Sequence, residues 1–313
     1  MLLKNGSKGK EVKDLQEFLG LTADGIFGSQ TEKAVEMRTL NRQIKLLSKI
    51  DKAVKKWQGE NSLTMDGIVG PNTWNAMGLA STDNSEKIYT TSNGLQIEQY
   101  FLPKGEYIDE ITKKEYIFLH HTAGWHKPKN VIDSWGRDSR GKVATEFVLG
   151  GQSVKGNDNR YDGEMIQCFP EGCYGWHLGK NGSHYMHKHS VGVEVCNFGY
   201  LKDGKTYVGT PADSTQIATL SKPFRGYTQW HKYSDKQIEA LKLWIQYIGE
   251  RDSIDIRNGL VEWIHQKGAH QAFEFNEDAY YGKVKGLLTH TNTRKDKWDM
   301  FPQQELIDML VSL

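Results

Sequence analysis

The stretch Tyr116-Ile117-Phe118-Leu119-His120-His121-Thr122-Ala123-Gly124 constrains this chain most. A short run of four apolar residues needs cover on both faces, so it reads as a buried strand. The strand delivers two histidines at its end, where a loop begins. Side chains alternate faces along a strand, so only one of His120 and His121 can share a pocket with a given partner. That one is either a metal ligand or a satisfied buried histidine.

Gly286-Leu287-Leu288-Thr289-His290 again ends an apolar run on a histidine, and Lys297-Trp298-Asp299 follows. A catalytic zinc site takes three imidazole or carboxylate ligands and leaves a fourth position open. Lys297 and Asp299 are two apart and in an extended segment point the same way. An ammonium would then stand beside a metal-bound carboxylate, where it could steady an oxyanion. Between these stretches, Val191-Gly192-Val193-Glu194-Val195 reads as a second buried strand. A carboxylate there is costly unless it is paired or has a task. Glu194 is therefore either a salt-bridge partner or a proton carrier.

Hydrophobic-His-x-Thr-Ala-Gly early, Val-Gly-Val-Glu-Val midway and His290 with Lys297-x-Asp299 late resemble the type-2 N-acetylmuramoyl-L-alanine amidases. Trp176-His177-Leu178-Gly179 matches a further motif of that family, and the resemblance covers roughly residues 95–313. It implies an α/β amidase domain, a mixed central sheet flanked by helices. It also implies zinc held by His120, His290 and Asp299, with Glu194 as general base and then acid. Lys297 would stabilise the oxyanion, with help from His177. The bond cut would be the amide between the lactyl group of N-acetylmuramic acid and L-alanine. His121 and Asp296 are the alternative ligands. Relatives often carry a histidine or tyrosine at Thr145-Glu146, so Glu146 is expected to alter the groove chemistry.

Residues 1–80 hold an internal repeat: Asp24-Gly25-Ile26-Phe27-Gly28 recurs as Asp66-Gly67-Ile68-Val69-Gly70, with Thr31 and Thr73 at matching offsets. Asp-Gly supplies a tight turn with positive φ. The apolar residue between the glycines can plug a small core, and Ser29 or Asn72 can cap the next helix. Val12, Leu15 and Leu19 stand at helical spacing before the first turn. With Gly6-Ser7-Lys8-Gly9, Gln16, Ala34-Val35 and Thr73-Trp74, this half resembles the small all-α peptidoglycan-binding domain. About twenty extra residues follow Ala34-Val35, and Leu40, Ile44, Leu47, Ile50, Val54 and Trp57 keep helical spacing through them. A lengthened or doubled helix is predicted, with its apolar stripe packed. Residues 81–94 are small and polar and read as a linker, a tether between wall binder and wall cutter.

From residue 95 on, Leu95–Ile97 and Tyr100–Leu102 read as edge strands, Asn130–Trp135 as a short helix, and Glu146–Leu149 and Glu164–Phe169 as strands. The glycine-rich loop 150–163 between them reads as a wall of the substrate groove. Ser234-Asp235-Lys236-Gln237 is a capping box that opens a helix ending near Gly249. Helices are also predicted over Leu260–Gln266 and Gln303–Leu313.

With 40 Lys+Arg against 39 Asp+Glu, no large basic patch for nucleic acid is indicated. Cys168, Cys173 and Cys196 are too few for a disulfide framework and read as reduced. No apolar run is long enough to span a bilayer, and the first residues lack a signal-peptide core. The expected setting is a monomeric, phage-type lytic enzyme made in the host cytoplasm. A permeabilising partner would release it to bacterial peptidoglycan, without stable membrane association. An autolysin or a delivered toxin is the alternative setting. A non-catalytic recognition protein and a peptidase acting within the stem peptide are the alternative activities. The cluster His184, His187 and His189 reads as a solvated loop, with a second metal site as the alternative. His126, His231, His265 and His270 read as groove or surface residues.

Overall fold

The computed structural model describes residues 6–19, 21–61, 65, 87–137, 139–179 and 183–313, with backbone alone at 18, 36–51 and 87. Contacts divide the chain into two compact units, Met1–Ser85 and Glu86–Leu313. In the first, α1 (Lys10–Leu19) buries Val12. The Asp-Gly turn then forms as its residues dictate. Gly25 has φ +75° and Asp24 Oδ1 accepts the Ile26 N–H at 2.8 Å. Buried Gln16 ties the turn to the helix: its Oε1 accepts the Gly25 N–H at 2.8 Å, and its Nε2 lies 2.8 Å from Asp24 Oδ1 and 3.1 Å from Thr31 Oγ1. Phe27 is the plug of this small core.

The extra residues extend one continuous helix of 32 residues, α2 (Ser29–Glu60). Ser29 is not its cap. The N-cap is Gly28, with no side-chain hydrogen bond, so the helix opens one residue earlier, at Ser29 itself. The side chains of Leu40, Ile44, Leu47 and Ile50, and the second turn with Asn72, Thr73 and Trp74, lie outside the described residues.

The second unit opens with β1 (Lys87–Thr90) and β2 (Gln96–Gln99), an antiparallel pair. The stretch read as a linker is therefore sheet from Lys87 onward: Lys-Ile-Tyr-Thr forms an edge strand, and the polar residues after it make a tight turn at Gly94, φ +90°. Next come β3 (Tyr116–His121), α3 (Pro128–Trp135), β4 (Phe147–Leu149), β5 (Met165–Gln167), α4 (His184–Lys188) and β6 (Ser190–Val195). Then β7 (Tyr200–Leu201), β8 (Ile217–Phe224) and β9 (Tyr227–His231) form a small antiparallel sheet of their own, in order β7-β9-β8. After it stand α5 (Asp235–Asp252), α6 (Leu260–Lys267), α7 (Ala269–Ala272), α8 (Glu277–Tyr280), β10 (Gly286–Thr289), α9 (His290–Thr293) and α10 (Gln304–Val311).

The main sheet runs β1-β2-β5-β4-β6-β3-β10 and is mixed, with β4, β6, β3 and β10 mutually parallel. β2 is not an edge, because β1 covers it. Tyr100 and Leu102 leave strand geometry, although their N–H groups still reach the Gln167 and Cys168 carbonyls at 3.0 and 2.8 Å.

Every residue of β3 is buried. One face of the sheet packs on α5, where Leu241, Trp244, Ile245 and Ile248 are buried. Ser234 caps that helix with the full capping box, and the helix passes Gly249 to end at left-handed Ser253. The other face buries Ile132 of α3 with Val148, Ile166, Cys168 and Cys196. All three cysteines are free and buried. Trp244 is fully enclosed and meets the Phe147 ring edge-on at 5.5 Å. Trp244→Ala should therefore cost about 3–5 kcal/mol in urea denaturation. A loss under about 1 kcal/mol would mean that this face is not the core.

Candidate active site

Strand register assembles the site. β3 and β6 place His120 level with Glu194, and β10 pairs Thr289 with Leu119, so His290 follows level with His120. Level residues on neighbouring strands point to the same face. These parallel strands end together, and the crevice beyond such ends is where α/β sheets take ligands. A groove of about 1020 Å³ opens there, lined by His290, Asp299, Glu194, Lys297 and His177 together with aromatic residues.

Ligand atoms of His120, His290 and Asp299, all buried, lie within 4.8 Å of one another. Asp299 Oδ2 is 3.2 Å from His120 Nδ1 and 2.9 Å from His290 Nδ1. The far nitrogens are committed elsewhere. His290 Nε2 lies 3.4 Å from the Leu178 carbonyl, which can only accept, so that nitrogen carries the proton. His120 Nε2 lies 2.9 Å from His177 Nδ1. Donation from His120 along that contact would free both Nδ1 lone pairs for a cation held beside the carboxylate. Three acceptors converging in this way form a donor set for a cation. Two imidazoles and a carboxylate match the chemistry of zinc.

Electrostatics fit this arrangement. Burial, and then the neighbouring His290, push His120 down to about 4, so it is neutral at physiological pH. Burial opposes ionisation of Asp299, but the neighbouring His290 and hydrogen bonds from both imidazoles outweigh it and hold the carboxyl well below its usual range, so the carboxylate is ready for a cation that would replace those protons. Glu194 goes the other way: burial, and then the charge on Asp299, raise it well above the usual carboxylate range. Its Oε2 is buried without a hydrogen-bond partner, as befits a group that exchanges a proton.

The other histidines separate. His121 faces away from the cluster, its Nδ1 2.7 Å from the Tyr233 hydroxyl. His177 spends both nitrogens inside the protein, on His120 and, at 2.7 Å, on Ser190 Oγ. It has no N–H left for an oxyanion and instead orients His120. His184, His187 and His189 span α4 and its C-cap in place of a loop, and among the described residues they do not gather into a group of metal-ligating atoms. His187 is buried, accepts the His177 and Leu178 N–H groups and pairs with the Gly179 carbonyl, while His189 stacks on Tyr185. Asp296 pairs with Arg294 in place of a ligand role. Glu146 turns away from the groove into a buried pair with Arg251 at 2.8 Å, because an unpaired carboxylate in that core would be costly. Thr145 lines the groove in its stead. Loop 150–163 is not a groove wall. Together with Trp125, His126 and Lys127, its residues 153–160 line a separate depression.

Residues 111–295 match the family described as N-acetylmuramoyl-L-alanine amidase. The chain belongs to that family. It is an amidase of peptidoglycan. Residues 48–77 match a second family, described as a putative peptidoglycan binding domain. Among solved structures, PlyL is 13% identical over 63% of this chain and 82% of its own, with a TM-score of 0.35. The catalytic domain of XlyA is 13% identical over 64% and 87%, with a TM-score of 0.34. AmiD from E. coli is 18% identical over 54% of each chain, with a TM-score of 0.30. None of the curated proteins compared matches the chain.

The sequence reading missed an aromatic wall of the groove: Tyr200 of β7, Phe198 and Tyr207 from the segments flanking that strand, and Trp298, whose ring lies 5.7 Å from that of Tyr200. It also missed Ser190, which carries no motif.

Two buried imidazoles outside the ligand cluster make a test of stability against pH. Burial pushes His231 down to about 3 and His187 to about 4. Both stay neutral in the folded chain where the unfolded chain protonates, near pH 6.5. The unfolded state thus binds more protons between about pH 6.5 and 4, and stability falls as pH falls through that window. The slope is at most roughly 1.4 kcal/mol per pH unit for each imidazole. Urea denaturation from about pH 7 to 5 should show this loss, and His231→Asn, which keeps an acceptor for the Phe198 N–H, should flatten it. Equal slopes in the two proteins would contradict the assignment.

Proposed function

We propose that the enzyme is a zinc-dependent amidase that cuts peptidoglycan between the lactyl carbonyl of N-acetylmuramic acid and L-alanine. His120, His290 and Asp299 would hold the ion. The observation that carries this reading is the convergence of three ligand atoms, in one groove, near half-buried Glu194, whose Oε2 is enclosed without a hydrogen-bond partner.

Zinc bound there supplies a Lewis acid for the amide carbonyl and acidifies the attacking water. The chain's own residues do the rest. Glu194 takes a proton from the water as its oxygen bonds to the carbonyl carbon. Its raised proton affinity suits it to hold that proton and then pass it to the departing nitrogen. The Lys297 ammonium, in the same groove, faces the oxyanion that forms on the carbonyl oxygen. The C–N bond breaks, leaving a lactyl carboxylate on the glycan and a free amine on the stem peptide. His177 keeps the His120 ring in place throughout.

Residues 1–80 would hold the wall and residues 95–313 would cut it. The tie between them raises the local concentration of active sites on the polymer. The setting that best fits a wall binder joined to an amidase is a monomeric, endolysin-like bacteriolytic enzyme released to the cell wall.

Digestion of purified walls, read by mass spectrometry, tests this. Free stem peptides beginning at L-alanine are expected, and they should vanish on chelation and return with zinc. Glu194→Gln should lower kcat by about 10²- to 10⁴-fold. Products cut inside the peptide, or full turnover after chelation, would overturn the reading.

A further inference from the structure

A second feature of the groove comes from the small sheet. Phe224 of β8 pairs with Tyr227 of β9, leaving Arg225 and Gly226 as a two-residue turn with φ +47° and +91°. Two positive φ values mark the turn type that glycine and asparagine fill at least cost. Arginine is a poor choice for the first position on backbone grounds. Its side chain also does not reach into solvent as a hairpin tip would allow, being only 8% exposed.

The guanidinium enters the loop between His290 and Asp299. Arg225 Nη1 lies 3.0, 2.8 and 2.9 Å from the carbonyl oxygens of Arg294, Lys295 and Lys297. Nη2 donates to the Thr291 carbonyl at 3.1 Å, and Nε lies 3.2 Å from Glu274 Oε2. In return, Trp298 Nε1 donates to the Arg225 carbonyl at 3.4 Å. Four carbonyls, one in α9 and three in the segment that follows it, thus turn onto one fork of donors. Loop carbonyls gathered in this way repel one another, and a planar cation with several N–H groups suits them better than a point charge.

We infer that Arg225 is a positioning residue for the reaction: its guanidinium moulds residues 291–297 so that Lys297 and Asp299 stand at the groove floor. The strained turn is the cost of aiming it. The small sheet is then part of the catalytic apparatus, because it carries the clamp. This inference rests on the roles given above to Asp299 and Lys297.

The test uses the full chain stripped of metal. Zinc affinity is measured by competition with a chromophoric chelator, beside kcat, KM and the thermal midpoint, for wild type, Asp299→Ala, Arg225→Ala and Arg225→Lys. Arg225→Ala is expected to weaken zinc binding by about 10- to 100-fold, the usual effect of losing an outer partner of a site. It should lower kcat more than it changes KM. Arg225→Lys should recover part of both, since it keeps the charge and loses the fork. Guanidinium ion at low, non-denaturing concentration should partly restore affinity and kcat to Arg225→Ala, which a general loss of stability would not permit. A lowered thermal midpoint with wild-type zinc affinity and kcat would overturn the inference and make Arg225 structural only. If Arg225→Ala does not fold, Arg225→Lys decides by the same two readouts. Asp299→Ala separates the two levels. Loss of zinc there with none in the Arg225 variants sinks only the clamp, whereas unchanged zinc binding in Asp299→Ala sinks the ligand assignment.

Discussion

Asp299 Oδ2 is shared by two imidazole nitrogens, at 2.9 and 3.2 Å, and much of the catalytic unit serves to hold those three atoms together. Acceptors brought this close repel, so each needs its own anchor. Register between parallel strands brings His120 and His290 level. The carbonyl of Leu178 and the ring of His177 fix which nitrogen of each histidine faces inward. Asp299 comes from a loop, and its carbonyl accepts the Thr291 N–H at 2.9 Å. The cost of this crowding is met by a fully buried strand and by a helix, α5, whose tryptophan seals the opposite face.

The groove also shifts two carboxyls in opposite directions. Asp299 has imidazoles around it and its proton affinity falls, whereas Glu194 has an apolar strand around it and the charge of Asp299 nearby, and its proton affinity rises. Two like groups in one site take different roles because their surroundings differ. Glu146 is the instructive contrast. It too sits in a buried sheet region, but Arg251 pairs with it, and that pairing removes it from the chemistry.

How much of this was legible in the sequence follows from what each signal depends on. His120 and His290, two of the three proposed ligands, stand at the ends of apolar runs and Glu194 within one, and a strand's period of two places such residues at a definable end. The helices opened by capping boxes or helical spacing appear where their signals stand, α5 and α2 among them. Strand order is not written in local pattern, so β2 looked like an edge until β1 covered it. Lys87-Ile88-Tyr89-Thr90 reads as part of a tether because it is short and lies between the polar residues 81–86 and 91–94. His177 could be found but not given a role, since which nitrogen faces which partner depends on residues far away in sequence. The small sheet was missed for a similar reason. Its turn, Arg225-Gly226, lacks the asparagine or aspartate that makes such turns conspicuous, and its use lies some seventy residues further along the chain.

The central claim is that three residues form one metal-binding donor set. X-ray absorption spectroscopy at the zinc edge of the metal-loaded full chain tests it most directly. The account predicts two imidazole nitrogens at about 2.0–2.1 Å, with oxygen completing a four-coordinate shell and no sulfur. That imidazole signal should be lost together with stoichiometric binding in His120→Ala and Asp299→Ala. A sulfur shell, or a spectrum unchanged by those substitutions, would contradict it.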